Sequence, residues 1–218
     1  MTPEPGAPPP ADCLLCPRLA DYRHANRTAH PDWFNAPVPS FGSPTARLLV
    51  VGLAPGVRGA NRTGRPFTGD FAGELLYSTL LGFGLAEGRY GATPDDGLVL
   101  RDCRVTNAVR CVPPGNLPTP AEIRTCNSFL AAEIAAMPRL RAVLALGGTA
   151  HNAVLRVHGV RPAHVPFRHG TLHRLPQSRV LADSYHVSRL NTNTGRLTTA
   201  MFHAVVQELL AELAAEPG

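Results

Sequence analysis

Four short apolar runs punctuate this chain: RLLVVGLA (47–54), CRVTNAV (103–109), RAVLALG (141–147) and RVLADSYH (179–186). Each is β-branched or leucine-rich without strict polar alternation, which predicts strands buried on both faces. Between and after them, apolar positions recur at helical spacing and predict helices over about 71–82, 120–136, 148–157 and 198–214. Thr119 before Pro120 forms an N-cap with a first-turn proline, and Thr198 is set to cap the last helix. Strands alternating with helices predict an α/β fold, a three-layer αβα arrangement around a central four-stranded parallel sheet. Ligands of such sheets bind at the carboxyl ends of the strands. Function is therefore expected in the loops 53–70, 107–118, 147–150 and 186–197.

The 218 residues fit one domain, read as a flexible Pro-rich tail over 1–11 and a single domain over 12–218. Residues 31–45 are dense in Pro and turn formers and are expected to be irregular but ordered by Trp33, Phe34 and Phe41. No apolar run approaches the roughly 20 residues that cross a bilayer. The start MTPEPGAPPPAD lacks the basic and apolar regions of a signal peptide. A cytoplasmic protein with no membrane partner is expected. The net charge of +5 suits a polyanionic partner but only slightly favours nucleic acid.

Five cysteines without an export signal argue against a disulfide framework. Cys13 and Cys16 form a CxxC in CLLCPRL, while Cys111 and Cys126 stand far downstream, separated by fourteen residues. Four thiolates hold either zinc or an iron–sulfur cluster, and the spacing leaves both open. A set split in this way would tie the N-terminal segment to the body of the domain. Cys103 opens a predicted strand and reads as core.

The loop GLAPGVRGANRTGRPFTGD (52–70) imitates a phosphate-binding P-loop in its glycine spacing. Arg65-Pro66, however, stand where Lys and Ser/Thr are required, so nucleotide hydrolysis is excluded. What remains is a glycine-rich loop with Arg58, Arg62 and Arg65 for phosphates, Phe67 to stack on a base, and one acid. That acid, Asp70, also precedes a predicted helix and suits an N-cap. The last strand runs into SYHVSRLNTNTGRLT (184–198). His186 stands at the strand's carboxyl end, and Ser188, Arg189, Leu190 and Asn191 form a polar loop with one apolar tip. Proteins that extract bases push such a wedge into the stack.

GLAPG, TNAVRC, NRTGRPFTGD and HxSRxN…TGRLT together resemble the iron–sulfur uracil-DNA glycosylases, most of all family 5, the type-b enzymes. The resemblance covers roughly residues 12–210, and the four cysteines match that family's cluster ligands in order and approximate spacing. It implies the uracil-DNA glycosylase-like fold and a structural [4Fe–4S] cluster on Cys13, Cys16, Cys111 and Cys126. It also implies monofunctional hydrolysis of uracil from DNA, probed as a duplex by a monomer, at the first step of base excision repair. By the same resemblance Asn107 reads the flipped base, Phe67 stacks on it, Ala54 and Gly56 border it, and His186 bonds the oxygen that gains negative charge. Arg58, Arg62, Arg65, Ser188, Arg189, Leu190 and Asn191 are expected against DNA.

Two departures bear on mechanism. Most relatives in the superfamily carry Asp, Glu or Asn two residues after the first glycine, where this chain has Ala54, as family 5 does. Asp70 is then the nearest acid for catalysis, and Ala54 argues against a family 4 enzyme. Val187 replaces a common Pro. The basic, His-containing inserted loop of relatives that trap uracil covalently is missing, so hydrolysis is expected. The resemblance extends the expected substrates to hypoxanthine, xanthine and ethenocytosine. An alternative of another class is a non-catalytic iron–sulfur nucleic-acid-binding or redox-sensing protein, which would not need Asn107, Asp70 and His186 all at strand ends.

Overall fold

The structure, a computed structural model, describes residues 3–215; residues 1, 2 and 216–218 lie outside the described residues. In chain order the elements are α1 (Pro17–Ala29), β1 (Phe41–Gly42), β2 (Leu48–Gly52), α2 (Ala60–Thr63), α3 (Phe71–Gly82), β3 (Ala86–Glu87) and β4 (Val99–Leu100). They continue with β5 (Cys103–Asn107), α4 (Pro120–Ala135), β6 (Ala142–Leu146), α5 (Gly148–Val157), β7 (Leu172–Leu175), β8 (Arg179–Ser184), α6 (Arg189–Asn193) and α7 (Thr199–Ala214).

The four predicted strands pair in parallel in the order β5-β2-β6-β8. Alternate residues sort to opposite faces, as the pleat requires. Leu48, Val50, Leu144 and Ala182 pack with Leu76 of α3 and Phe202, Val205 and Leu209 of α7. Leu49, Val51, Val143 and Leu181 pack with Leu130 and Ile134 of α4 and with Ala153 and Val154 of α5. The result is the expected α/β sandwich of three layers.

Two short antiparallel strands, β1 and β7, extend the sheet to six. A two-residue strand in a Pro-dense stretch leaves no periodicity to detect, and α/β sheets commonly carry such antiparallel edges. Between α3 and β5 the chain inserts a separate hairpin, β3–β4. Leu85, Ala86, Leu98 and Leu100 of this insert are buried in the main core. The ends of the predicted helices are set by their caps. Thr119 and Glu122 form a capping box, and Thr198 accepts the Met201 N–H at 3.2 Å.

The segment expected to be a flexible tail lies instead, over residues 3–11, along the body of the protein. Gly6 N–H donates to Ala132 O at 2.8 Å, and Pro9 is buried. This segment leads into Cys13, whose place beside α4 draws the preceding residues across that helix. The capping-box Glu122 also accepts two bonds from Arg18 of α1, at 2.8 and 2.7 Å, and so ties α1 to α4. Among the described residues no helix is long and apolar enough to cross a membrane.

Behind the end of β8, Asp183 and His151 are completely buried. His151 Nδ1 bonds Asp183 Oδ1 at 2.7 Å and its Nε2 bonds Val165 O at 2.8 Å. Asp183 Oδ2 takes His173 at 2.9 Å and the Arg168 N–H at 3.0 Å. Both neighbours of the His151 ring offer acceptor oxygens, which favours the doubly protonated ring. Burial alone would lower its pKa; the bonds from Asp183 and Val165 outweigh burial and hold it above the ordinary value of 6.5. A histidine with a raised folded pKa stabilises fully below about 6.5 and loses that contribution as pH rises through the folded value. His151→Gln should therefore cost about 3 kcal/mol in urea unfolding near pH 6. The gap to the parent should narrow as pH rises; a gap constant with pH would disprove the charged pair.

Candidate active site and metal centre

A small pocket opens at the carboxyl ends of β2 and β5, lined by Ala54, Gly56, Phe67, Asp70, Asn107 and His186, with Pro55, Ala60 and Ala72 completing the wall. Asn107 is the last residue of β5 and is buried, and its Oδ1 has no protein partner. His186 lies just beyond β8, and its buried Nδ1 is also without a partner. Burial pushes the His186 pKa down to about 4, so the ring is neutral near pH 7. Its centroid is 6.0 Å from that of Phe67, with the planes 30° apart.

Gly52, at the end of β2, is what lets these groups meet. A Cβ there would lie 2.4 Å from Asn107 Oδ1 and 2.4 Å from Phe67 Cζ. Phe67 itself sits at φ +51°, a left-handed conformation that costs an aromatic residue roughly 1–3 kcal/mol. Asp70 serves as the N-cap of α3, its Oδ1 accepting the Ala72 N–H at 3.2 Å. It also lines the pocket, with Oδ2 against Gly56 and Gly59. The capping and catalytic readings of Asp70 are thus geometrically compatible. Burial raises its pKa, opposed by the N–H groups of Ala72 and Gly73.

Of the arginines expected at phosphates, Arg58 and Arg62 are exposed beside the pocket loop. Arg65 is not, and here the sequence expectation is corrected. It is 5% exposed and clamps Asp96 with bonds of 2.8 and 2.6 Å. Its guanidinium sits 5.1 Å from the Phe41 ring centroid and under 6 Å from those of Tyr77 and Tyr90. A planar cation with a carboxylate fork and three aromatic faces is satisfied inside the protein and does not reach solvent. In the 186–198 loop, Ser188 caps α6, and Asn191 Nδ2 donates to His186 O at 2.8 Å, fixing the chain where the histidine leaves the sheet. Residues expected to form a loop here are the short helix α6; Arg189 lies over Phe71 at 5.2 Å, and Leu190, 72% exposed, projects from the first turn of that helix. Arg196 was not singled out from sequence; it is exposed and sits 4.6 Å over Tyr185. Its place in TGRLT, a few residues past the Ser188–Asn191 tip, is the only sequence signal for it.

The four cysteines converge. Cys16 precedes α1, Cys111 follows β5, Cys126 lies on α4, and with Cys13 they line one apolar cavity walled by Leu19, Val109 and Phe129. All are free thiols. The Arg110 N–H points at Cys126 Sγ at 3.4 Å, and Arg23 donates to Cys111 Sγ at 3.6 Å and to Cys13 O at 2.8 Å. Arg23 is 1% exposed and bonds no carboxylate among the described residues. Such a cation is stable beside thiolates and costly beside neutral thiols. Among the described residues the one group of metal-capable side chains whose ligand atoms all lie within 4.8 Å of one another is His151, His173 and Asp183. Cys103 is fully buried in the main core, as expected.

Comparison with known proteins gives a consistent picture. The Uracil DNA glycosylase superfamily matches residues 39–210. The chain is similar to a type-5 uracil-DNA glycosylase of Thermus thermophilus, 48% identical over 202 residues, covering 90% of this chain and 91% of the relative. Type-5 uracil-DNA glycosylases of Pyrobaculum aerophilum and Mycobacterium leprae are 43% and 44% identical, covering 92% and 90% of this chain and 89% of each relative.

The correction at Arg65 is open to direct measurement. Arg65→Gln should lower unfolding stability by about 3 kcal/mol, because it strands a buried carboxylate. Arg58→Gln and Arg62→Gln should stay within about 0.5 kcal/mol of the parent. Equal stability of all three variants would return Arg65 to the surface.

Proposed function

The chain belongs to the uracil-DNA glycosylase superfamily and groups with its type-5 enzymes, and from that premise we propose that it hydrolyses the N-glycosidic bond of uracil in DNA as a monofunctional enzyme of base excision repair. The observation that carries the reading is the pair of orphan polar atoms, Asn107 Oδ1 and His186 Nδ1, in a pocket walled by Phe67. Buried polar atoms are nearly always paired, so orphans in a pocket call for a ligand with polar edges and an aromatic face. Uracil has both.

A base inside a duplex is out of reach and must be flipped, at a cost of a few kcal/mol. Arg58, Arg62 and Arg189 hold the backbone, and the exposed Leu190 fills the gap the base leaves. Uracil stacks on Phe67 and is read by Asn107. As the bond breaks, the sugar becomes cationic and the base anionic. A preplaced donor at the developing anion is worth about 3–4 kcal/mol, and His186, neutral by burial, supplies a hydrogen bond without giving up a proton. Asp70 is the one acid lining the pocket and orients water or stabilises the sugar cation. Ala54, Ala60 and Ala72 make that wall from small side chains, which supports admission of hypoxanthine, xanthine and ethenocytosine as well as uracil. The substrate is read as double-stranded DNA and the enzyme as a monomer.

Cys13, Cys16, Cys111 and Cys126 fit a [4Fe–4S] cluster: four free thiols lining one apolar cavity, with Arg23 as a buried counter-charge. The cluster's contribution is a cross-link between the N-terminal segment, the end of β5 and α4, and no step of base release runs through it.

The test is base release from a labelled duplex carrying one uracil, with alkali to break the abasic site, run beside hypoxanthine and ethenocytosine duplexes. Release of uracil and at least one other base is expected. A folded protein that binds DNA but releases nothing would leave an iron–sulfur binding or redox-sensing protein as the better account. His186→Ala should slow single-turnover release by roughly 10²–10³-fold. Asn107→Ala should also slow it, with fold and visible absorbance intact in both; parental rates in both variants would remove the site. Separately, Cys→Ser at 13, 16, 111 or 126 should lower soluble yield and bleach the brown colour, and colour surviving all four changes would reject the cluster.

A further inference from the structure

Phe67 keeps a backbone conformation that an aromatic residue does not adopt unaided, and every bond that keeps it there comes from outside the pocket. Tyr90 Oη donates to Phe67 O at 3.1 Å. Tyr77 Oη donates to the preceding carbonyl, Pro66 O, at 2.5 Å. Thr68 Oγ1 donates to the same carbonyl at 3.1 Å and accepts from Arg65 Nε at 2.8 Å. Arg65 is in turn fixed by the two bonds to Asp96, whose carboxylate also accepts the N–H groups of Gly91 and Leu98 at 2.8 and 3.0 Å. Burial would raise the Asp96 pKa, but these donors hold it well below the usual carboxylate range. Tyr90 and Asp96 belong to the insert between β3 and β4, and neither lines the pocket.

The helix beneath is shaped for the same contact. A Cβ at Gly73 of α3 would fall 2.0 Å from Phe67 O and 2.2 Å from Tyr90 Oη. No side chain fits there while the tyrosine holds the carbonyl. Strain persists only where its surroundings over-determine it. Here the determinants are three hydroxyls on two consecutive carbonyls, one buried ion pair and one missing side chain.

We propose that the β3–β4 insert, through Tyr90 and the Asp96–Arg65 pair, is a brace that sets the plane of Phe67 and thereby the grip of the pocket on the flipped base. The brace acts through Phe67, so Tyr90 and Asp96 are positioning residues. It rests on the reading that Phe67 stacks on uracil.

Tyr90→Phe removes the single bond to Phe67 O and keeps the ring that packs on Tyr77, 4.8 Å between centroids. It should slow single-turnover uracil release and weaken inhibition by free uracil by roughly five- to ten-fold, the worth of one buried hydrogen bond. Affinity for a duplex carrying an abasic site, which presents phosphates but no base, should not change. In the Phe67→Ala background Tyr90→Phe should have no further effect, a non-additivity that a merely structural tyrosine would not produce. Gly73→Ala, a second route to the same carbonyl, should weaken free-uracil inhibition at least as much. Losses that add in the double variant, or equal loss of abasic-site affinity, would overturn the brace while leaving stacking in place. If Phe67→Ala itself left free-uracil inhibition unchanged, stacking and brace would both fall.

Discussion

At the end of β2 the chain passes Gly52 with no side chain, and the space a Cβ would fill is taken by Asn107 Oδ1 and the ring of Phe67. The rest of the pocket depends on that close approach. Parallel pairing puts Gly52 opposite Asn107 in the ladder, so register brings that amide to the end of β2, while the loop before α3 returns the Phe67 ring to the same point. His186 completes the group from β8, which the sheet order sets on the far side of β6. Three segments distant in sequence thus converge because parallel strands deliver their carboxyl ends to one edge of the sheet.

The pocket is a place where stability is given up. Two buried polar atoms lack partners, one aromatic residue is strained, and a carboxylate is buried beyond its comfort. Around it the polar groups are satisfied. Asp183 is surrounded by His151, His173 and a loop N–H behind β8, and Asp96 by Arg65 and two backbone N–H groups. Such closed networks fix the insert and the loop behind β8 through their polar groups, and leave the orphan atoms to the pocket.

Beside the pocket, packed against its Ala54, four cysteines bring the N-terminal segment, the end of β5 and α4 together around one apolar cavity. Their reach is long: Cys13 precedes the whole sheet, while Cys111 and Cys126 bracket the loop after β5. Arg23, buried and bonded to no carboxylate among the described residues, faces the same four cysteines and donates to Cys111 Sγ and Cys13 O.

The four parallel strands and their covering helices were legible because buried strands and amphipathic helices leave periodicities in local sequence, and caps such as Thr119–Glu122 mark their ends. The pocket residues were legible because strand ends and a glycine-rich loop are local signals as well. Arg65 was misread for a physical reason. An arginine in a basic loop looks the same in sequence whether it meets solvent or a carboxylate thirty-one residues away. The edge strands β1 and β7, the insert that holds Phe67 and the course of residues 3–11 were equally invisible, since each is defined by what it packs against. Sequence by itself therefore determined the layers, the edge of the sheet at which the pocket forms and the candidate chemistry. Only tertiary structure decided which charges are spent inside the protein, because pairing energy depends on distance and burial, and neither is written along the chain.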